Sequence, residues 1–427
     1  MFRRYSVRTT CSSGLYDGTC FGVILILVLF SGPGLTTTRA GTYQQDVQII
    51  IDSVDATTLS DVVSGLSGAS SVVVGGEPYL ITTRHTASGE PITKAVQYVY
   101  EQLLGMGLTV SYQPWSGGGY LGQNVIAEKT GLVSPDQVIL VSAHLDDLPT
   151  GPVAPGADAN ASGCAAVLEL ARAMACQGFE KTIRFVLYTG LNQGSYGSDA
   201  YAMMMFNGGE NIVAVLNAAL IAYDSDSNPI IEIHTRSVAH PQYAMDQAIA
   251  LVFSDVAAVY WGLDGVEGNP NRVLLESVIS PQLNADGLTY GDQASFWDYG
   301  YAGILYMEDL ADFSPYFNTI GDLITHLNML YFTNGAKLLS GTVALLAQPE
   351  PVLISVRVYA DDTDGDGLDD VRIEWTPLPG ASAYNVHFGI LPGQPLVLLA
   401  GPVDPPVCHE NALTDGCPYY YKVEALP

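Results

Sequence analysis

Asp362, Asp364, Asp366 and Asp370 punctuate the stretch DTDGDGLDD (362–370), with Gly367 directly after the third of them. Carboxylates at alternating positions around a glycine turn can wrap a hard cation in oxygen ligands, and calcium is the ion that suits such a set outside cells. The bidentate glutamate that closes an EF-hand would fall on Ile373, so the loop is not an EF-hand. A solvated acidic turn is the plain alternative. Cys408 and Cys417 stand nine apart across a loop-like stretch and can pair in an oxidising compartment. Cys164 and Cys176 flank what reads as one helix, which at ~1.5 Å per residue holds them ~18 Å apart, too far for a disulfide. His144 closes the apolar run 137–144, and Asp146 follows two residues on. On its own this pair reads as a structural histidine at the end of a buried strand with Asp146 as its acceptor.

Elements must hold these residues. Strand-like runs cover 108–115, 124–131, 137–144, 182–190, 213–224 and 302–307, and helix-like runs cover 162–178, 242–256 and 333–347. Near-continuous apolar strands between amphipathic helices predict an α/β domain over 41–347, its central sheet mainly parallel and flanked by helices. Ala347-Gln348-Pro349-Glu350-Pro351 reads as a linker, and the alternating runs behind it, with turn signals such as Pro379-Gly380, predict a small all-β module over 348–427. With 427 residues, 48% of them hydrophobic, there is material for a large core and a small one. The 16 Lys and Arg against 44 Asp and Glu give −28, which repels phosphate backbones and excludes nucleic-acid binding. Arg3, Arg4 and Arg8 precede the apolar run 21–30, which ends at Gly32-Pro33-Gly34. That run is short against the ~20 residues a spanning helix needs, and suits a signal peptide over 1–40 cut after Thr38-Arg39-Ala40. The chain is therefore expected to be secreted, with the periplasm or cell surface as alternatives, and to meet a membrane only through that segment. A short membrane anchor is the competing reading.

The stretches 138–147 (VILVSAHLDD), 153–174 (VAPGADANASGCAAVLELARAM) and 181–202 (KTIRFVLYTGLNQGSYGSDAYA) together resemble the co-catalytic zinc aminopeptidases, the family of bacterial leucyl aminopeptidases and, more distantly, glutaminyl cyclases. ITTRHTASGE (81–90), 291–309 and SPYFNTIGDLITHLN (314–328) extend the resemblance to about residues 45–347. It implies two zinc ions at the carboxyl ends of strands: a His and an Asp on one ion, a Glu and a His on the other, an Asp bridging them and a second Glu as general base. In this sequence His144 keeps the first ligand position, and Asp146 keeps the acid that orients that histidine. The bridging position is Ala159, the base and its neighbouring ligand fall on Leu191 and Asn192, the next aspartate on Ala219 and the last histidine on Asn318. Gln293 replaces a further family histidine behind a retained Asp292.

His144 is thus the sole remaining zinc ligand of five. Leu191 cannot titrate, Ala159 and Ala219 have no lone pairs, and one imidazole does not hold zinc against water. Zinc is not expected despite the family. The expectation is an exported, non-catalytic relative whose cleft binds a peptide or protein, with Asp158 and Asp292 as relics that cap turns or helices. An active metallo-exopeptidase with a rearranged site drawn from Asp146, Asp158, Asp224 or Asp292 is one alternative. A surface or scaffold protein acting through the β module is another. That module resembles a partial fibronectin type III domain at Trp375 and Tyr419–Tyr421, and its acidic loop resembles the calcium loops of thrombospondin type 3 repeats.

Overall fold

The chain divides into one unit over 39–348 and another formed by 1–38 with 349–427. The computed structural model describes 44–148, 153–226, 228–261 and 279–348 in the first unit, and the strands at 2–9, 24–31, 353–361, 370–375, 383–389, 397–403, 407–409 and 420–426, with Asp404, in the second.

The larger unit is a layered α/β fold. Apart from a short hairpin of Val72–Val74 with Glu77–Tyr79, its strands are β1 (Thr109–Gly117), β2 (Tyr120–Lys129), β3 (Ser134–His144), β4 (Lys181–Tyr188), β5 (Asn211–Ala218), β6 (Ile230–His234), β7 (Ser280–Asn284) and β8 (Gly303–Glu308). They form one sheet in the order β7-β6-β8-β5-β3-β4-β2-β1. The pairings β8–β5, β5–β3 and β3–β4 at its centre are parallel, as is β6–β7, whereas β6–β8, β2–β4 and β1–β2 are antiparallel. The helices are α1 (Gln45–Asp52), α2 (Ala56–Leu66), α3 (Glu90–Gly105), α4 (Gly163–Ala175), α5 (Tyr196–Gly208), α6 (Tyr243–Trp261), α7 (Gln293–Trp297) and α8 (Met329–Ala347). All predicted strands and helices of this domain are present.

The sequence does not announce β6, β7 or the hairpin of Val72–Val74 with Glu77–Tyr79, and the run 213–224 is strand only as far as Ala218. There the chain turns, with Leu220 at φ +51°. Among the described residues no helix is long and apolar enough to cross a membrane.

Burial explains the middle layer. Val138 to Val141 of β3 are all at most 1% exposed, and α4 is buried along its whole length except at Arg172. A helix buried all round cannot carry a free charge, and the one acid it buries, Glu169, is fully paired. Arg172 grips both its oxygens at 2.6 and 2.7 Å, and the Asp55 N–H donates to it at 2.6 Å. Asp55 in turn caps α2 by accepting from Thr57 and Thr58 N–H, so one buried glutamate ties two helices together.

The smaller unit is all-β, as its alternating runs predict. Its strands follow the order 397–403, 383–389, 420–426, 24–31, 2–9, 353–361, 370–375, 407–409. The two N-terminal strands belong to the uncleaved chain, and cleavage after Ala40 would remove them from this sheet. Strands 353–361 and 370–375 pair antiparallel with Asp361 opposite Asp370. Asp362, Asp364 and Asp366 of the calcium loop lie outside the described residues, as does Cys417, the expected partner of Cys408.

Candidate functional site

The family positions converge where parallel strands end, the usual place for a site in an open α/β sheet. His144 is the last residue of β3, Leu191 and Asn192 follow β4, and Ala219 follows β5. Between β3 and α4 the turn 157–162 departs from helical geometry at Ala159 and Asn160. Gly156 opens this turn at φ +50°, with Arg84 Nη2 and Ala159 O each 2.7 Å from where a Cβ would sit. Gly163 closes it, and there a Cβ would lie 2.4 Å from Asn160 Oδ1 and 2.5 Å from Ala218 O. Both glycines therefore serve close approach. Gly163→Ala should cost about 1–3 kcal/mol in urea unfolding, because the atom it strikes on β5 is main chain and cannot swing aside.

His144 is 4% exposed, and its Nδ1 lies 2.9 Å from the main-chain carbonyl of Asp146. Burial pushes the imidazole below its usual range, against the opposing pull of Asp146. This corrects one expectation: the acceptor on Asp146 is its carbonyl, not its carboxylate. The carboxylate instead accepts from the Leu191 and Asn192 N–H groups at 3.1 Å each and from Asn192 Nδ2 at 3.0 Å. The acid that the resemblance assigns to orienting the zinc histidine here fastens the loop that carries Leu191 and Asn192.

The rest of the metal position is apolar. Ala159, Ala219, Leu220, Leu305 and Met307 form a buried cluster, with Leu288 and Phe313 packed against it. Asn160 stitches the surrounding main chain, donating to Ala218 O at 3.0 Å and accepting from Leu220 and Gly163 N–H at 3.0 Å. Asn318 is half-buried at φ +55°. Zinc needs three or four nitrogen, sulfur or carboxylate donors converging on one point, and two alanines, a leucine and one imidazole engaged at Nδ1 do not supply them. The residues present do not fit a zinc pair.

Asp158 and Asp292, expected as caps, play other parts. Asp158 Oδ1 accepts from Ala222 N–H at 3.0 Å, across to the chain beyond β5. Its carboxyl also meets that of Glu308, the last residue of β8. Burial raises both: Asp158 to about 7, held down somewhat by its bond to Glu308, and Glu308 well above the carboxylate range, pushed further by Asp158. Burial and the repulsion between them thus keep the pair from ionising fully. Asp322 accepts from the Asp158 and Ala159 N–H groups at 2.8 and 3.0 Å, so a third acid fixes the turn. Asp292 precedes α7 without capping it; its Oδ2 faces Asn217 Nδ2 at 3.4 Å, and burial lifts it to about 7.

Three of the acids considered for a rearranged metal site, Asp146, Asp158 and Asp292, are thus engaged with main chain, amide or carboxyl partners. The fourth, Asp224, stands with Asp226 and Asp312, one ligand atom from each lying within 4.8 Å of the others. Ser225 N–H and Oγ already donate to Asp312, and Asn328 Nδ2 to Asp224 at 2.7 Å. The aromatic residues on and after the 190–195 loop, Tyr196, Tyr201 and Phe206, pack against neighbouring rings. Tyr196 stacks on Trp115 and seats on Gly117 and Gly118, Tyr201 is buried against Tyr188 and Phe296, and Phe206, half exposed, leans on Tyr299.

Residues 124–259 match the family described as Peptidase family M28, which bears out the resemblance read from the sequence. A protein of Pyricularia oryzae named probable zinc metalloprotease is 28% identical over 291 residues, covering 62% of this chain and 56% of its own length. The chain thus spans little more than half of such relatives. The aminopeptidase LapA of Legionella pneumophila superposes with a TM-score of 0.55 at 17% identity, over 74% of this chain and 78% of its own. Macrostomum lignano glutaminyl cyclase does so with 0.58 at 14% identity, over 75% and 98%. These likenesses show the fold of the larger unit.

Proposed function

We propose that this chain, with its M28 peptidase-like fold, is a non-catalytic relative of the zinc aminopeptidases, exported from the cell, whose cleft binds a peptide or a protein segment. One observation carries the reading: Ala159 and Ala219, at two metal-ligand positions, pack with Leu220, Leu305 and Met307 in a single apolar cluster. A site that had lost one ligand by chance would keep the others pointing at a void. Here the neighbours pack on each other, Asp146 and Asp322 accept from N–H groups, and burial raises Asp158 and Asp292 toward their neutral forms. Fold supports the peptidase name, while chemistry at the site does not.

Elemental analysis of the purified protein after dialysis against zinc and calcium, alongside aminopeptidase turnover, tests this directly. The expected result is no zinc, no turnover, and about one calcium at the 362–370 loop. About two zinc ions per chain together with turnover would overturn the reading, since ligands would then have to come from residues not placed at the family positions. The net charge of −28 favours cationic peptides or free amino termini as ligands. Binding that does not weaken with salt would remove that preference.

A further inference from the structure

His234 ends β6 and is completely buried, yet it sits between two acids. Its Nε2 lies 3.0 Å from Glu232 Oε2 and its Nδ1 2.9 Å from Asp286 Oδ2. Glu232 is on the same strand two residues back and nearly as buried, whereas the Asp286 side chain is 44% exposed and belongs to the loop between β7 and α7. The other neighbours are uncharged: β8 presents Leu305 opposite His234, and β7 presents Asn284 beside it. Neutral imidazole has one N–H, so it serves only one of two carboxylates; imidazolium serves both.

Register places this triad against the apolar cluster at the family's metal position. His234 pairs with Leu305 and Glu232 with Met307, and residues directly opposite in a ladder share a face. Leu305 and Met307 belong to the apolar cluster at the lost metal position. Asp286 reaches the same cluster from the other side. Its Oδ1 accepts from Leu288 N–H at 3.1 Å, and Leu288 packs on the cluster. Gly287 N–H donates to Thr235 O at 2.9 Å, so this turn is docked on the end of β6 by one main-chain bond and by the His234 contact.

We infer that protonated His234 is a latch that holds Asp286, and through the Asp286 turn Leu288, down on the apolar cluster, and that its deprotonation frees the 285–291 loop to lift from the cleft. The inference deepens the proposed function by naming how the cleft opens. It rests on that reading only in taking the cleft as the place where a ligand enters. When the imidazole loses its proton, the ion-pair attraction to both carboxylates is lost and one N–H remains between them. Buried Glu232 has no water to turn to, so half-exposed Asp286 is the one released. Burial alone would push the His234 pKa down, but the bonds to Glu232 and Asp286 outweigh it and hold it above the usual imidazole range. The latch is therefore shut while His234 keeps its proton and opens as pH rises past that raised value.

Amide exchange of the 284–292 segment in the full chain, corrected for the intrinsic pH dependence of exchange, reads the latch without any ligand. Protection should fall at least about ten-fold between pH 6 and pH 9, with the β1–β2 hairpin unchanged over the same range. Asp286→Asn keeps an oxygen for the Leu288 N–H but removes the charge, and should already exchange at pH 6 as the native loop does at pH 9. His234→Gln should do the same, and Asp286→Asn, at a half-exposed position, keeps the test valid if the buried variant does not fold. Constant protection across the range, or a pH step that survives in Asp286→Asn, would overturn the latch. Fluorescence of bis-ANS, an apolar anionic dye, read on the same samples separates the two ideas. A loop that opens with no gain in dye binding keeps the latch and counts against a binding cleft. A gain in dye binding that follows the loop supports both.

Discussion

Arg84→Met should destabilise the larger unit by about 3–5 kcal/mol, the range for stranding one partner of a buried charge network. Arg84 is fully buried, and its guanidinium reaches four carbonyls: Leu145 at 2.8 Å, Leu66 at 2.5 Å, Pro155 at 3.0 Å and Gly156 at 2.9 Å. Those carbonyls belong to the end of α2, the exit of β3 and the entry to the 157–162 turn. Methionine fills similar volume but removes the side-chain donor from all four, although Gly156 O keeps the Ala161 N–H at 3.0 Å. It also leaves Asp147, 3.9 Å from the guanidinium, buried without a cation. Asp147 Oδ2 would still accept from residue 84 N–H, now at 2.7 Å, so the backbone there has a reason to stay. Lysine should fare little better, because three donors on a point charge cannot replace a planar fork that spans four acceptors. Urea unfolding of both variants measures the loss. A cost below about 1 kcal/mol for Arg84→Met would mean that the turn is held by Asp322 and Asn160 without the arginine.

The sequence carried the scaffold well and the electrostatics poorly, for physical reasons. Strands β3, β4, β5 and β8 are buried on both faces and read as unbroken apolar runs. β7, with the sequence SPQLN, is half-exposed throughout and has no apolar alternation to find. β6 was hidden because its inward residues on one face are Glu232 and His234, polar groups that a hydrophobic pattern counts as outward. Losses at Ala159, Leu191, Asn192 and Ala219 were legible because each is a change of side-chain type at a fixed motif position. Where the freed partners went was not. The spacing of His144 and Asp146 is the same whether the histidine contacts the acid's carboxylate or its carbonyl. The choice depends on Leu191 and Asn192, which arrive from a different strand. Glu308 stands in a run that reads only as the end of a strand, and nothing local announces that its carboxyl meets Asp158.

Stability should fall as pH rises from about 4 to about 8, the reverse of what paired surface carboxylates give. Asp292 titrates at about 7 in the folded chain against an ordinary 3.8, chiefly because burial penalises its charge, with Ser198 and Asn217 offsetting part of this and Asp146 adding to it. Between those values the folded state holds a proton that the unfolded state has released. Folding is therefore favoured by protons: the contribution is complete below the unfolded value and is lost as pH climbs through the folded one. A displacement of that size corresponds to a ceiling on the order of 4 kcal/mol for this one group. Asp158 and Glu308 act in the same direction, since both are raised by burial in the folded state. Asp292→Asn should flatten the slope and leave the protein more stable than its parent at pH 8, because the amide stands in for the neutral acid without a charge to bury. Chemical denaturation at pH 5, 6.5 and 8 measures both. A parent more stable at pH 8 than at pH 5, with the same gain in Asp292→Asn, would show that Asp292 does not set the slope and that opposing groups such as buried His144, held below its usual range, outweigh it.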